Sequence, residues 1–337
     1  VRLAAVDVGT NSTRLLVADV AGGRIVAEHA REMVITRLGR GVDRTRRFDP
    51  GALARTLEVL GGYAATCDRL GVEAVRVVAT SATRDARNRE ELAAGVRQRL
   101  GVAPEVLTGD QEAVATFAGV TGALAGPGAG RTLVVDIGGG STEFIIGGRP
   151  APGPATTTPA SPGLVPSPPP AVPASSGAPG VPDAMISLDI GCVRLTERHL
   201  HTDPPTPEEL ACLRADARVH LDRVPAVLDP ASADRVVGVA GTVTTVAAIA
   251  LGLDRYDPAR IHLATVDTAQ VAATADMLCA MTVAERAALP VMAAGREDVI
   301  AAGALLLAEA CKLFGFMQIM PSETDILDGV LLGLAGC

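Results

Sequence analysis

Apolar positions along the chain fall into two spacings. Leu3–Val8, Leu15–Val20 and Ile25–Val34 are near-continuous or alternating apolar runs of strand length, and helical spacing follows over Gly51–Leu70. A strand at Ala74–Ala79, a helix beginning near Arg84, a strand at Glu105–Leu107 and a helix over Gln111–Gly122 complete the first half. The second half repeats the alternation loosely, with strands at Thr132–Asp136, Glu143–Gly147, Met185–Asp189 and Arg235–Val239. Its helices are expected near Pro207–Val224, Thr242–Leu253 and Gly295–Leu313. Such alternation is the pattern of an α/β protein.

The repeat sharpens when two segments are laid together: Asp7-Val-Gly-Thr-Asn-Ser-Thr-Arg-Leu-Leu-Val17 and Asp136-Ile-Gly-Gly-Gly-Ser-Thr-Glu-Phe-Ile-Ile146. Asp, Gly, Ser and Thr coincide and every apolar position is matched. Two related domains facing a shared cleft are the economical expectation. Between Arg149 and Asp183 the chain has no charged residue and holds 12 of its 23 prolines, a composition that forms neither helix nor central strand. Its flanks read as strands, so it is expected to be a disordered insertion at a hairpin tip.

Composition narrows the function. At 337 residues, 48% of them hydrophobic, the chain has enough apolar surface for two cores. A net charge of −8 excludes a general nucleic-acid or anionic-membrane binder, and 2% aromatic content argues against base-stacking platforms. Lys312 is the one lysine among 30 basic residues. Guanidinium groups suit forked phosphate recognition, although a genomic bias explains the excess equally well. The six cysteines are scattered without knuckle or redox spacing. No apolar run reaches bilayer length and no signal-like leader opens the sequence, so a soluble cytoplasmic protein with no membrane partner is expected.

Each matched loop places Asp at the end of an apolar strand, then Gly and a small turn, then Ser-Thr entering the next strand. Backbone N–H groups and hydroxyls of such a hairpin can converge on a phosphate. The candidate contacts are Asn11, Ser12, Thr13 and Arg14 in one loop and Gly138, Gly139, Gly140, Ser141 and Thr142 in the other. Asp7 and Asp136 end buried strands, where a carboxylate is costly unless paired or bound to a metal. Magnesium, or another divalent cation, is the expected counter-ion, with Glu143 returning toward the same site. Arg84 opens a helix after a strand and can face an anion, while capping by Ser81 explains the same residues. Glu112, in a first helical turn, is either a water-activating base or an ordinary helix-dipole partner. The Gly238–Thr245 turn suits a nucleotide or a further phosphate but reads chiefly as tight helix–strand packing, the arginines Arg31, Arg37, Arg40, Arg44, Arg46 and Arg47 could line the cleft but read chiefly as a solvated loop, and His199 and His201 read as surface residues.

Taken together, DVGTNSTRLLVADV, ATSATRDARN, TGDQEA, VVDIGGGSTEFIIG, DIGCVRLTE, GVAGTVTT, GREDVIAAGA and SETDILDG resemble the exopolyphosphatase and guanosine pentaphosphate phosphatase family, in order from Val6 to Leu334. The resemblance implies two duplicated actin-like, acetate-kinase-like (ribonuclease H-like) domains with an interdomain active-site cleft. Domain I would comprise residues 1–123 plus 322–337, the final helix returning to it, and domain II 124–321 with the insertion at about 150–183. It implies Glu112 as catalytic base and Asp136 and Glu143 as acids positioning metal and water, with Asp7 a further metal neighbour. Asn11, Ser12, Arg14, Arg84 and Gly138 to Thr142 match phosphate contacts.

Gln111 stands where relatives often have an acid, and Thr324 where many have His. The expected activity is release of orthophosphate from the end of inorganic polyphosphate, with short chains favoured because longer relatives continue into further domains. Hydrolysis of guanosine pentaphosphate, a non-catalytic polyphosphate or alarmone sensor and, least favoured, a small-molecule kinase remain as alternatives. The family also suggests a homodimer.

Overall fold

β1 (Arg2–Val8), β2 (Ser12–Ala21) and β3 (Arg24–Ile35) form an antiparallel meander in the computed structural model, which describes residues 1–124, 130–148 and 180–336. β1 also pairs in parallel with β4 (Ala74–Ala79), and β4 with β5 (Glu105–Val106), giving the order β3-β2-β1-β4-β5. The second half is built the same way. β6 (Thr132–Ile137), β7 (Thr142–Gly147) and β8 (Ala184–Leu188) form the meander, and β9 (Arg235–Val239) lies parallel to β6. β10 (Val266–Asp267) and β11 (Gln318–Pro321) complete the order β10-β11-β9-β6-β7-β8, β11 running parallel to β9. Outward from each hairpin the two sheets share order and direction, and β10 is an addition at the second sheet's edge. β1 and β6 are central and almost wholly buried, which is why their sequences run apolar without alternation.

Helices cover these sheets, and two of them set the site. Helix Gly109–Ala123 starts with a capping box in which Thr108 accepts from the Gln111 amide and Gln111 reaches back to the Thr108 amide. Gln111 therefore serves the cap and faces away from the chemistry. The last helix, Ile326–Leu334, follows β11 of the second sheet yet buries Ile326, Leu327, Val330 and Leu331 against Leu3, Leu16 and Val78 of the first. It crosses helix Gly109–Ala123 at two glycines: a Cβ on Gly119 would lie 1.9 Å from the Asp325 carbonyl oxygen, and one on Gly329 1.8 Å from that of Ala115. No helix of the described residues is long and apolar enough to cross a membrane.

Several sequence expectations need adjusting. The region near Arg84 is two helices, Ser81–Asp85 and Arg89–Leu100, and helix Ile300–Phe314 begins five residues later than Gly295. Helices Cys192–His199 and Thr268–Ala280, and the short β10 and β11, lacked a readable pattern. β7 and β8 pair as the hairpin flanks were expected to, while the insertion they bracket lies outside the described residues up to 179.

Candidate active site

The two hairpin turns are the same object twice. Gly9 N–H donates to the Ser12 carbonyl at 2.9 Å, and Gly138 N–H to the Ser141 carbonyl at 3.1 Å. No hydrogen bond within the described residues uses the amides of Thr10, Asn11, Gly139 or Gly140, which leaves a ring of donors for an anion. The loops meet tip to tip. A Cβ on Gly139 would stand 3.0 Å from Thr10 Cβ, and one on Gly140 2.6 Å from Ser81 Oγ, so glycine is what permits this approach. Between them is a cavity of about 100 Å³ lined by both loops and by Asp7, Arg14, Glu112 and Asp136.

The equivalence extends to the cross-strand pairs below the turns. Asp7 faces Arg14 in the first hairpin, and Asp136 faces Glu143 in the second. Arg14 donates from Nη2 to Asp7 Oδ2 at 2.8 Å and also pairs with Asp325, and these carboxylates strengthen its hold on the proton. Asp7 Oδ1 is buried without a partner. The second pair has no cation of its own. Burial, and then the neighbouring Glu112 charge, raise the Asp136 carboxyl to about 7. Glu112 is itself raised to about 7, by burial against the opposing pull of Arg84, whose Nη1 lies 2.8 Å from Oε2. Glu143, 1% exposed, is pushed well above the usual range by burial and by Glu112 and Asp136, with Ser187 Oγ 2.7 Å from its Oε1.

Four expected contacts do not reach the cavity. Thr13 and Thr142 are fully buried; the first hydroxyl bonds Thr36 Oγ1 at 3.0 Å and the second donates to the Ile190 carbonyl at 2.8 Å, because strand alternation turns both inward. Glu143 lies beneath the loop rather than on its surface. Arg84 stands behind Glu112, held also by the Leu107 carbonyl at 2.9 Å, and lines a separate cavity. Asp7, Asp136 and Glu143 were expected to share a metal, yet among the described residues no three acidic, His or Cys side chains converge on one point. The unpartnered Asp7 oxygen and the uncompensated Asp136 do fit a cation held by two carboxylates and completed by phosphate oxygens and water.

The structure adds residues that sequence reasoning left without a role. Arg296 is 7% exposed, has no carboxylate partner among the described residues, and lines both the loop cavity and an adjoining one of about 380 Å³. Its contacts are Thr245 Oγ1 at 2.6 Å and Met33 Sδ at 3.3 Å, and desolvation weakens its hold on the proton. A buried guanidinium so placed has donors free to receive an anion. Ala240 and Gly241 line both cavities as well, so the Gly238–Thr245 turn belongs to the site besides packing Gly238 on Val243. Ala240 holds φ at 68°, a left-handed conformation stored at the cavity wall. Arg31 and Arg37 are not free in solvent: Arg31 pairs with Asp328 at 2.8 Å and Arg37 with Asp298 at 3.0 Å. His199 is half-buried against Asp216 at 2.8 Å.

Comparison with known proteins agrees with this geometry. The model of the Ppx/GppA phosphatase family matches residues 15–336. Exopolyphosphatase 2 of Mycobacterium tuberculosis is 41% identical over 99% of each chain. Among solved structures, an exopolyphosphatase-like protein superposes with a TM-score of 0.85 at 34% identity, covering 100% of this chain and 99% of that one. The Aquifex aeolicus member of the Ppx/GppA family follows with a TM-score of 0.75 at 29% identity, covering 99% and 97%.

Proposed function

This chain belongs to the Ppx/GppA phosphatase family, and from that we propose that it is an exopolyphosphatase, hydrolysing the terminal anhydride bond of inorganic polyphosphate and releasing orthophosphate. The observation that carries the reading is the meeting of two matched glycine-containing loops above the buried carboxyl groups of Asp7, Glu112 and Asp136. The free loop amides, with the side chains of Asn11, Ser12 and Ser141, would hold the terminal phosphoryl group and stabilise charge on its equatorial oxygens. Arg296 would take the next phosphates of the chain. Glu112 is the general base: burial brings its proton affinity near neutrality, and the Arg84 bond fixes its direction. A divalent cation such as magnesium, held by Asp7 and Asp136, would supply charge neutralisation on the transferring group. Glu143, opposite Asp136 and below the cavity, would act through Asp136 rather than on the water directly.

Orthophosphate release from short polyphosphate, long polyphosphate and guanosine pentaphosphate, with magnesium or chelator, tests the reading. Glu112→Gln is expected to lower kcat by at least about a hundredfold, the usual worth of a positioned base, with substrate binding retained. Retained turnover removes Glu112 from the mechanism, and tight binding without release from any substrate makes the cleft a sensor.

A second reading has its own observation. The 380 Å³ cavity beyond Arg296 is walled largely by apolar groups, including Met33, Tyr256, Val291 and Met292, and carries the Glu323 carboxylate. An apolar pocket next to a phosphate cleft suits a nucleoside better than a bare polyanion, so guanosine pentaphosphate is the competing substrate. Preference for it over polyphosphate, lost on Met292→Arg, would select this reading.

A further inference from the structure

Arg84 separates Glu112 from a second cavity of about 360 Å³ that opens to solvent. Thr108 and Gly109, at the start of helix Gly109–Ala123, form one wall, and Ser187 on β8 forms the other, with Asp110 and Asp189 exposed at the mouth. Two side-chain pairs stand in the partition between this space and the acidic centre: Arg84 with Glu112, and Ser187 with Glu143. The loop cavity, by contrast, shares Arg14, Met33, Gly241 and Arg296 as lining with the 380 Å³ space on the other side.

In-line displacement fixes what each side holds. The leaving chain departs opposite to the attacking water, so with Glu112 serving the water the polymer extends toward Arg296. After cleavage the shortened chain still fills that front side. Orthophosphate is then enclosed between the two loops and Glu112, and it cannot leave forward until the polymer dissociates.

Resting on the exopolyphosphatase reading, we propose that orthophosphate leaves backward, past Arg84 and into the 360 Å³ cavity, while the polymer stays bound for the next cycle. Passage requires the Arg84 guanidinium to leave both Glu112 Oε2 and the Leu107 carbonyl. The guanidinium released from a carboxylate can fork onto a phosphate dianion and carry it outward. Arg84 thus belongs to product exit, which accounts for its place behind the base rather than on the phosphate loops.

A reversible plug tests this. Asp189 is exposed at the mouth and outside the catalytic set, so Asp189→Cys is made in a chain whose exposed Cys212, and Cys337, are replaced by serine. The substituted thiol is converted to its glutathione mixed disulfide, and orthophosphate formation from long polyphosphate is followed by rapid quench and at steady state. The expected result is a retained first-turnover burst, a steady-state rate lowered at least tenfold, and full recovery on reduction. The unplugged protein should show only long chains and orthophosphate early in the reaction. An unchanged steady-state rate overturns the exit route, as does loss of the burst together with it, which would mean that the plug acts on the chemistry. A protein that releases no orthophosphate in either state overturns the exopolyphosphatase reading and the route with it.

Discussion

At the level of single residues, two equivalent hairpin positions have been given opposite chemistry. Asp7 meets an arginine and Asp136 meets a glutamate in the same register. The first pair carries its own cation, which opposes the upward push of burial on Asp7, whereas the second has none, and burial and neighbouring carboxylates together push both its carboxyls up. Glu112 and Asp136 are raised to about 7 in the native state, against about 4 when unfolded. Between those values the native state binds more protons than the unfolded one at these two groups, so their contribution to stability is full below about pH 4 and is lost as pH rises through about 7. In chelator the melting temperature should fall across that window, and Glu112→Gln should flatten the fall by removing one of the two groups. Parallel profiles for variant and wild type, read by thermal melting, would show that Glu112 ionises normally.

Arg296 makes the complementary case, a buried cation for which the substrate is the proposed partner. Arg296→Met removes an uncompensated charge while keeping apolar volume, so the melting temperature should hold or rise. The KM for polyphosphate should rise about tenfold or more, because a hydrogen bond to a charged group contributes roughly 1.5–3 kcal/mol. A KM within twofold of wild type would mean that the chain takes another path.

Elements are where the sequence was both clearest and most misleading. The two phosphate hairpins were legible because strand, glycine turn and strand are local, and their register is the one the internal match implied. The start of helix Ile300–Phe314 was not. Gly295 adopts φ +90° and the Arg296 amide donates to the Ala293 carbonyl, so a turn stands where helical spacing continued. That same turn aims Arg296 into the cavity, so missing the helix start and missing the arginine were one error. β10 and β11, with two and four residues, are too short to show alternation.

The crossing of helices Gly109–Ala123 and Ile326–Leu334 was equally invisible, since only proximity gives Gly119 and Gly329 their meaning. Gly119→Ala must push against backbone and should destabilise by roughly 1–3 kcal/mol. It should also lower activity, because it moves Glu112 and Asp325 relative to each other. Gly62→Ala, in helix Pro50–Leu70 with nothing within 4 Å of the added Cβ, should instead stabilise by about 0.8–1 kcal/mol. Chemical denaturation of both variants checks the contrast, and equal effects would show that close packing at Gly119 is not what matters.

For the whole molecule, catalysis depends on how firmly the two halves hold the loops together, and Arg194 is the principal fastener. It stands on helix Cys192–His199 of the second half and donates to the Gly140 carbonyl at 2.6 Å, fixing the second loop from behind. Across the cleft it reaches Asp43 at 2.5 Å, Ser81 at 3.1 Å and Asp85, all in the first half. Arg198 adds a second bond to Asp43 at 2.8 Å, and Arg37 with Asp298 ties the opposite rim. Each partner across the cleft is more than a hundred residues away in sequence, which is why duplication was readable and closure was not. Because Arg194 is buried, truncation leaves Asp43 with Arg198 alone and Asp85 with the exposed Arg46 alone, so the loss should fall below the roughly 3–5 kcal/mol of a fully buried pair left without any counter-ion. The halves should then part: Arg194→Ala is expected to enlarge the radius of gyration in X-ray scattering of the ligand-free protein and to reduce kcat, with saturating polyphosphate partly restoring the compact form. Asp43→Asn, which keeps a hydrogen-bond acceptor and removes one charge, should give a smaller change in the same direction. If Arg194→Ala scatters like wild type yet loses activity, the residue acts on the Gly140 loop alone, and closure must reside in the Arg37 rim.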